Sequence, residues 1–222
     1  MKKFELTTNT KIVFGKKLFQ IKALVSFGNV EKGALGGWIE KEENLSQDGN
    51  AWVSDNAMVS DNARVSDNAM VSDNAKVSGN AMVSDNAWVS GNAWVSDNAM
   101  VSDNAWVSGN ARVSDNAWVS GNARVSDNAW VSDNAWVSGN ARVSGNARVS
   151  GNADYATIKG LGTCNRNTTF FKCKDGKVRV VCGCFYGDLD EFRKQVKDTR
   201  SGKVAEEYLL IADLMEKHFK ED

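Results

Sequence analysis

Few side chains in this sequence could make bonds or hold a metal. They are one histidine, His218, and four cysteines, Cys164, Cys173, Cys182 and Cys184, all late in the chain. A zinc site needs converging ligands, with about two to four residues between paired cysteines. Here eight, eight and one residues separate successive cysteines. Asp175-Gly176 reads as a two-residue hairpin turn. That turn sets Cys173 opposite Val178 and carries Cys182 roughly 13 Å further along the ladder. The expectation is buried free thiols in a reducing compartment, with no metal and no cofactor. Upstream, between Ala51 and Ala153, there is no Cys, His, Glu or Tyr. The aspartates there recur like structural parts. The departures from pattern are Trp, Met, Arg and Lys, which are residues of binding. The sequence therefore predicts a protein that is not an enzyme.

Those residues sit in a strict frame. Valine recurs every sixth residue from Val53 to Val149, and alanine stands two residues before each, from Ala51 to Ala147 and again at Ala153. The unit is A-x-V-S-[DG]-N. In a strand, Ala and Val point one way and the residue between them points the other. Asp or Gly followed by Asn makes a corner, with Asn and Gly the residues that tolerate left-handed backbone. Such short strands have no length for a hairpin. They can coil, each strand stacking on the strand one turn later, with Val and Ala inside. This is a β-solenoid, stabilised by contacts between neighbouring coils.

The phrase V-S-D-N-A-W resembles the hexapeptide pattern of left-handed parallel β-helices. That resemblance implies a mainly β fold: a single-stranded, left-handed, triangular parallel β-helix with 18 residues per coil. LGGWIEKEENLSQDGNAWV, residues 35–53, is similar to the opening of hexapeptide-repeat proteins of bacteria and their prophages. It suggests an N-terminal cap over residues 1–50, with Trp38, Ile39 and Leu45 covering the first coil, and a solenoid over 51–155. Residues 156–222 read as a small ββαα domain. TTFFKCKDGKVRVVCGCFYG gives two strands. Asp188 and Glu191 have the spacing of a helix capping box. Val204, Tyr208, Ile211, Ala212, Met215 and Phe219 form the apolar stripe of a second helix. The GCFxGxLxEF segment, from Gly183 to Phe192, resembles a module that ends phage and prophage proteins of Gram-positive bacteria. Many left-handed β-helices are acyltransferases with a histidine base, and some are carbonic anhydrases with three histidine ligands. A lone His218 outside the repeat departs from both patterns.

Folded at that period, the variable slot gives three outward columns. The first runs Trp52, Met70, Trp88, Trp106, Arg124, Arg142; the second Met58, Lys76, Trp94, Arg112, Trp130, Arg148; the third Arg64, Met82, Met100, Trp118, Trp136, Asp154. Exposed aromatic and Met residues with few charges suit a protein interface, expected at Met82, Met100, Trp118, Trp136 and Trp88. Trp106 with Arg124 and Arg142, and Trp130 between Arg112 and Arg148, suit an anionic ligand held by charge and stacking. The expected partner is a second copy of the chain. The alternative is a viral counter-defence protein that captures a host factor or a nucleotide-type small molecule; a nucleic-acid strand is a weaker fit. An altered acyltransferase is a third reading. Net charge is −1. MKKFELTTNTKIVF has no signal-peptide run, and no stretch approaches ~18 apolar residues. The expectation is a cytoplasmic protein with no membrane contact.

Overall fold

The computed structural model describes residues 2–162 and 166–220, so Cys164 lies outside the described residues. Three strands open the chain: β1 (Phe4–Val13), β2 (Lys16–Ala23) and β3 (Leu35–Ile39). Seventeen two-residue strands follow, one every six residues, from β4 (Trp52–Val53) to β20 (Arg148–Val149). They stack in parallel register, 18 residues apart, into three sheets. The chain is a β-solenoid of about six turns. Each coil donates its amides to the next, as in Trp88 N to Ala105 O and Ser90 N to Val107 O, both 2.9 Å. The repeat valines Val53 to Val149 and alanines Ala51 to Ala147 line the interior and are at most 1 % exposed, whereas Ala153 is exposed.

At the corners, aspartate takes the left-handed backbone that the sequence reading gave to Asn or Gly. Ten corner aspartates lie at φ between 55° and 61°, and corner glycines replace them at the same position. Asp tolerates this region because its short side chain bonds locally. Here it also reaches one coil onward: Asp103 Oδ2 accepts from Gly121 N at 2.9 Å, and Asp73 Oδ2 from Gly91 N at 2.9 Å. The following asparagines run ladders along the corners, such as Asn62–Asn80–Asn98–Asn116 with amide bonds of 3.2, 3.0 and 3.1 Å.

The solenoid begins before residue 51. Ile39 pairs with Val59 and Leu45 bridges to Val65, so both occupy valine positions. Trp38 does not cover the coil. It pairs with Met58 and heads the second outer column, with Lys11 Nζ 4.4 Å from its ring centre. The β1–β2 hairpin closes this end with Phe4, Ile21 and Ala23. Trp52 faces outward but is buried beneath Phe27, its ring edge-on at 5.4 Å. Lys3 serves carbonyls at the open end, donating to Ala51 O at 2.9 Å. Its burial pushes the ammonium down to about 8, partly offset by Asp48.

The C-terminal domain has four antiparallel strands where the sequence showed two: β21 (Tyr155–Leu161), β22 (Arg166–Lys172), β23 (Val178–Cys182) and β24 (Phe185–Asp188). The glycine-broken YATIKGL and the four-residue β24 carry too little alternation to read alone. The hairpin register also differs. Gly176 sits at φ 75° and donates to Cys173 O, while Cys173 N donates to Lys177 O, so the loop has three residues and Val178 pairs with Lys172. Gly176 thus forms a bulge after the turn. Helices α1 (Leu189–Thr199) and α2 (Gly202–His218) follow, with Asp188 and Glu191 capping α1 reciprocally. Alternation along β22 gives its two faces different tasks. Phe171, Cys173 and Val181 join the solenoid core; Phe170 and Val180 pack with Phe192, Tyr208, Ala212 and Met215 of the helices. The sheet therefore closes the second end of the coil, where open backbone would otherwise be exposed.

Candidate binding faces

The three outward columns form as the period implies. Trp88, Trp106, Arg124 and Arg142 are successive partners, as are Trp94, Arg112, Trp130 and Arg148, and Met82, Met100, Trp118 and Trp136. Asp154 leaves the third column. It lies in a 3-10 turn, where its carboxylate accepts from Ser150 N, Ser150 Oγ and Gly151 N at 2.9, 2.8 and 3.0 Å.

The fixed serine has a task that the sequence reading missed. Six tryptophans donate their indole N–H to the serine sixteen residues earlier: Trp88 to Ser72, Trp94 to Ser78, Trp106 to Ser90, Trp118 to Ser102, Trp130 to Ser114 and Trp136 to Ser120, at 3.0–3.3 Å. The polar end of each indole is thereby satisfied within the chain. The repeat carried the signal, since each tryptophan follows such a serine at fixed spacing. The rings then stack along the column. Trp88 and Trp106 lie 5.5 Å apart at 10°, and Trp118 and Trp136 lie 5.1 Å apart at 8°. These apolar side chains still reach solvent, with Trp88, Trp136 and Met82 at 46, 47 and 46 % exposure.

The arginines lean back over the preceding tryptophan. Arg124 stands 5.2 Å from the Trp106 ring centre, Arg148 4.2 Å from Trp130 and Arg112 5.9 Å from Trp94. Trp130 stands between Arg112 and Arg148 in strand register, but among the described residues its ring contact is with Arg148, while Arg112 leans onto Trp94. The Trp106 ring has Trp88 on one side and Arg124 on the other. It has no free face for a base.

The first column ends in a groove of about 470 Å³ between the last coils and the C-terminal sheet, where Arg124 and Arg142 meet Lys159 and Arg166. A second, more apolar hollow of about 200 Å³ lies under the β1–β2 turn, where Lys76 stands between Phe14 at 4.9 Å and Trp94 at 5.9 Å. The chemistry-bearing side chains are elsewhere. Cys173 is buried and its thiol is pushed up to about 11, chiefly by burial. Cys182 is half-buried and Cys184 exposed. His218 meets Phe219 edge-on at 4.8 Å. Among the described residues no His, Cys, Asp and Glu cluster could hold a metal ion, and no helix is long and apolar enough to cross a membrane.

The stacking of coils agrees with a comparison to known families. Residues 63–153 match the YdcK beta-solenoid repeat. The match falls in seven stretches: 63–77, 75–91, 93–109, 105–121, 117–133, 123–139 and 141–153. It covers the repeat from residue 63 onward and neither terminal region. No curated protein matches the chain.

Proposed function

We propose that this protein is a non-catalytic assembly protein that pairs with a second copy of itself through the third solenoid face. The observation that carries the reading is the run Met82, Met100, Trp118, Trp136, in strand register, with parallel stacked indoles whose N–H groups are already bonded internally. Such a surface loses no hydrogen bond to water on burial, so its exposed edges gain the full hydrophobic benefit. A second copy fits because its ridges repeat at the same strand spacing. Two such faces can interdigitate about a two-fold axis. The terminal segments resemble those of phage and prophage proteins, and a phage-encoded assembly protein in the bacterial cytoplasm is the setting this reading favours.

Native mass spectrometry tests it. The wild-type chain is expected at twice the monomer mass, and the Trp118→Ser, Trp136→Ser double variant at the monomer mass with an unchanged circular dichroism spectrum. A wild-type monomer at tens of micromolar, or a double variant that stays dimeric, would overturn the assignment.

A further inference from the structure

The groove at the C-terminal end of the first column lies apart from the Trp/Met face and has the opposite chemistry. Arg124 and Arg142 project from neighbouring coils, directly paired at strand spacing. Lys159 comes from β21 and Arg166 from β22, across the groove. Among the described residues, none of these four cations makes an ion pair, whereas other basic residues of the same domain do: Lys177 with Asp188, Arg179 with Asp175, and Arg193 with Asp213 and Glu216. Like charges placed side by side on a sheet repel, so this cluster raises the free energy of the empty protein.

The walls are fixed rather than incidental. Arg142 N donates to Thr169 Oγ1 at 3.1 Å, and Asn167 Nδ2 donates to Asn140 O at 2.9 Å, tying β22 to the last coils. Thr157 Oγ1 donates to Asn167 Oδ1 at 2.9 Å and holds that amide in place. Gly183, at φ 64°, lies directly beneath the Arg166 guanidinium, where any Cβ would collide with it. The domain that closes the solenoid thereby also delivers two cations opposite the two arginines of the coil.

We propose that this groove binds a small polyphosphate-bearing anion. Guanidinium groups recognise phosphate oxygens through paired N–H donors, and a volume of this size holds a ligand rather than a lone ion. The occupied faces of Trp106 remove base stacking as a means of recognition, so the site reads charge and phosphate geometry. A ligand with several closely spaced negative charges relieves the Arg124–Arg142 repulsion from both sides of the groove.

Isothermal titration with inorganic tripolyphosphate at about physiological ionic strength tests this, alongside thermal melts. The wild type is expected to bind saturably and to melt higher with the anion. Arg142→Ala and Arg166→Ala are each expected to weaken binding by about ten-fold or more. Both should melt no lower than the wild type without ligand, because removing one cation relieves repulsion; a purely structural arginine would lower that melt. Arg148→Ala, on a different face, is expected to bind as the wild type does. No saturable binding, or equal weakening by Arg148→Ala, would overturn the site. So would a single-stranded oligonucleotide that displaces tripolyphosphate at far lower total charge, since that outcome would assign the cations to nucleic acid.

Discussion

Asp103 offers a sharp test of how the corners work. Its backbone lies at φ 59°, its carboxylate accepts from Gly121 N at 2.9 Å, and its own N–H donates to Asp85 Oδ2 at 3.3 Å. Asp103→Gly loses one exposed, charge-assisted hydrogen bond, about 1 kcal/mol. It also adds flexibility to the unfolded chain, roughly 0.7 kcal/mol. Against this it releases left-handed strain, about 1 kcal/mol, and the repulsion from Asp85, a few tenths of a kcal/mol. The balance is a change within about 1 kcal/mol. Asp103→Ala loses the same hydrogen bond and keeps a Cβ in the left-handed region, a strain of about 1–2 kcal/mol, but avoids the ~0.7 kcal/mol flexibility cost of glycine, so it should lie about 0.3–1.3 kcal/mol below the glycine variant. For a chain of this size that is a melting difference of roughly 1–5 °C. Differential scanning calorimetry of the three proteins side by side supplies the measurement. An alanine variant as stable as the glycine variant would refute the claim that backbone conformation selects Asp or Gly here.

Two further outcomes follow from the interior and the N-terminal end. Val101→Ala removes two buried carbon groups from a fully enclosed position, costing ~1.6 kcal/mol of transfer energy and about 2–3 kcal/mol with the cavity; a urea titration showing under ~0.5 kcal/mol would mean that neighbouring coils collapse into the space. Lys3, lowered to about 8 from 10.5, binds fewer protons folded than unfolded between those values, so wild-type stability should rise with pH across that window relative to Lys3→Met; denaturation at about pH 7 and about pH 10 checks the sign, and a fall would refute it.

The interior and the columns were legible because every strand pairing within the repeat joins residue i to residue i ± 18. Val101 meets Val83 and Val119, and Trp118 meets Met100 and Trp136, whatever the rest of the chain does. The start of the coil was hidden by a change of spacing. Ile39 and Leu45 are six apart, but Leu45 and Val53 are eight apart, and the first coil pairs Ile39 with Val59 across twenty residues. Two extra residues masked the phase. In the C-terminal domain, the turn at Asp175-Gly176 was read one residue short because type and position of a turn depend on the flanking ladder, which sequence alone does not supply.

The sequence by itself determined the period, the inward and outward sets and the order of side chains along each face, since all of these follow from alternation and nearest-neighbour stacking. Tertiary structure decided the direction in which each arginine leans, the serine that receives each indole, and the burial of Trp52 under Phe27. It also decided that one face of β22 seals the coil while its strands bring Lys159 and Arg166 to Arg124 and Arg142. The contacts of Trp52 with Phe27 and of β21 and β22 with the last coils join segments with no common period. Their geometry comes from packing at the two ends of the solenoid, where the repeat no longer dictates what meets what.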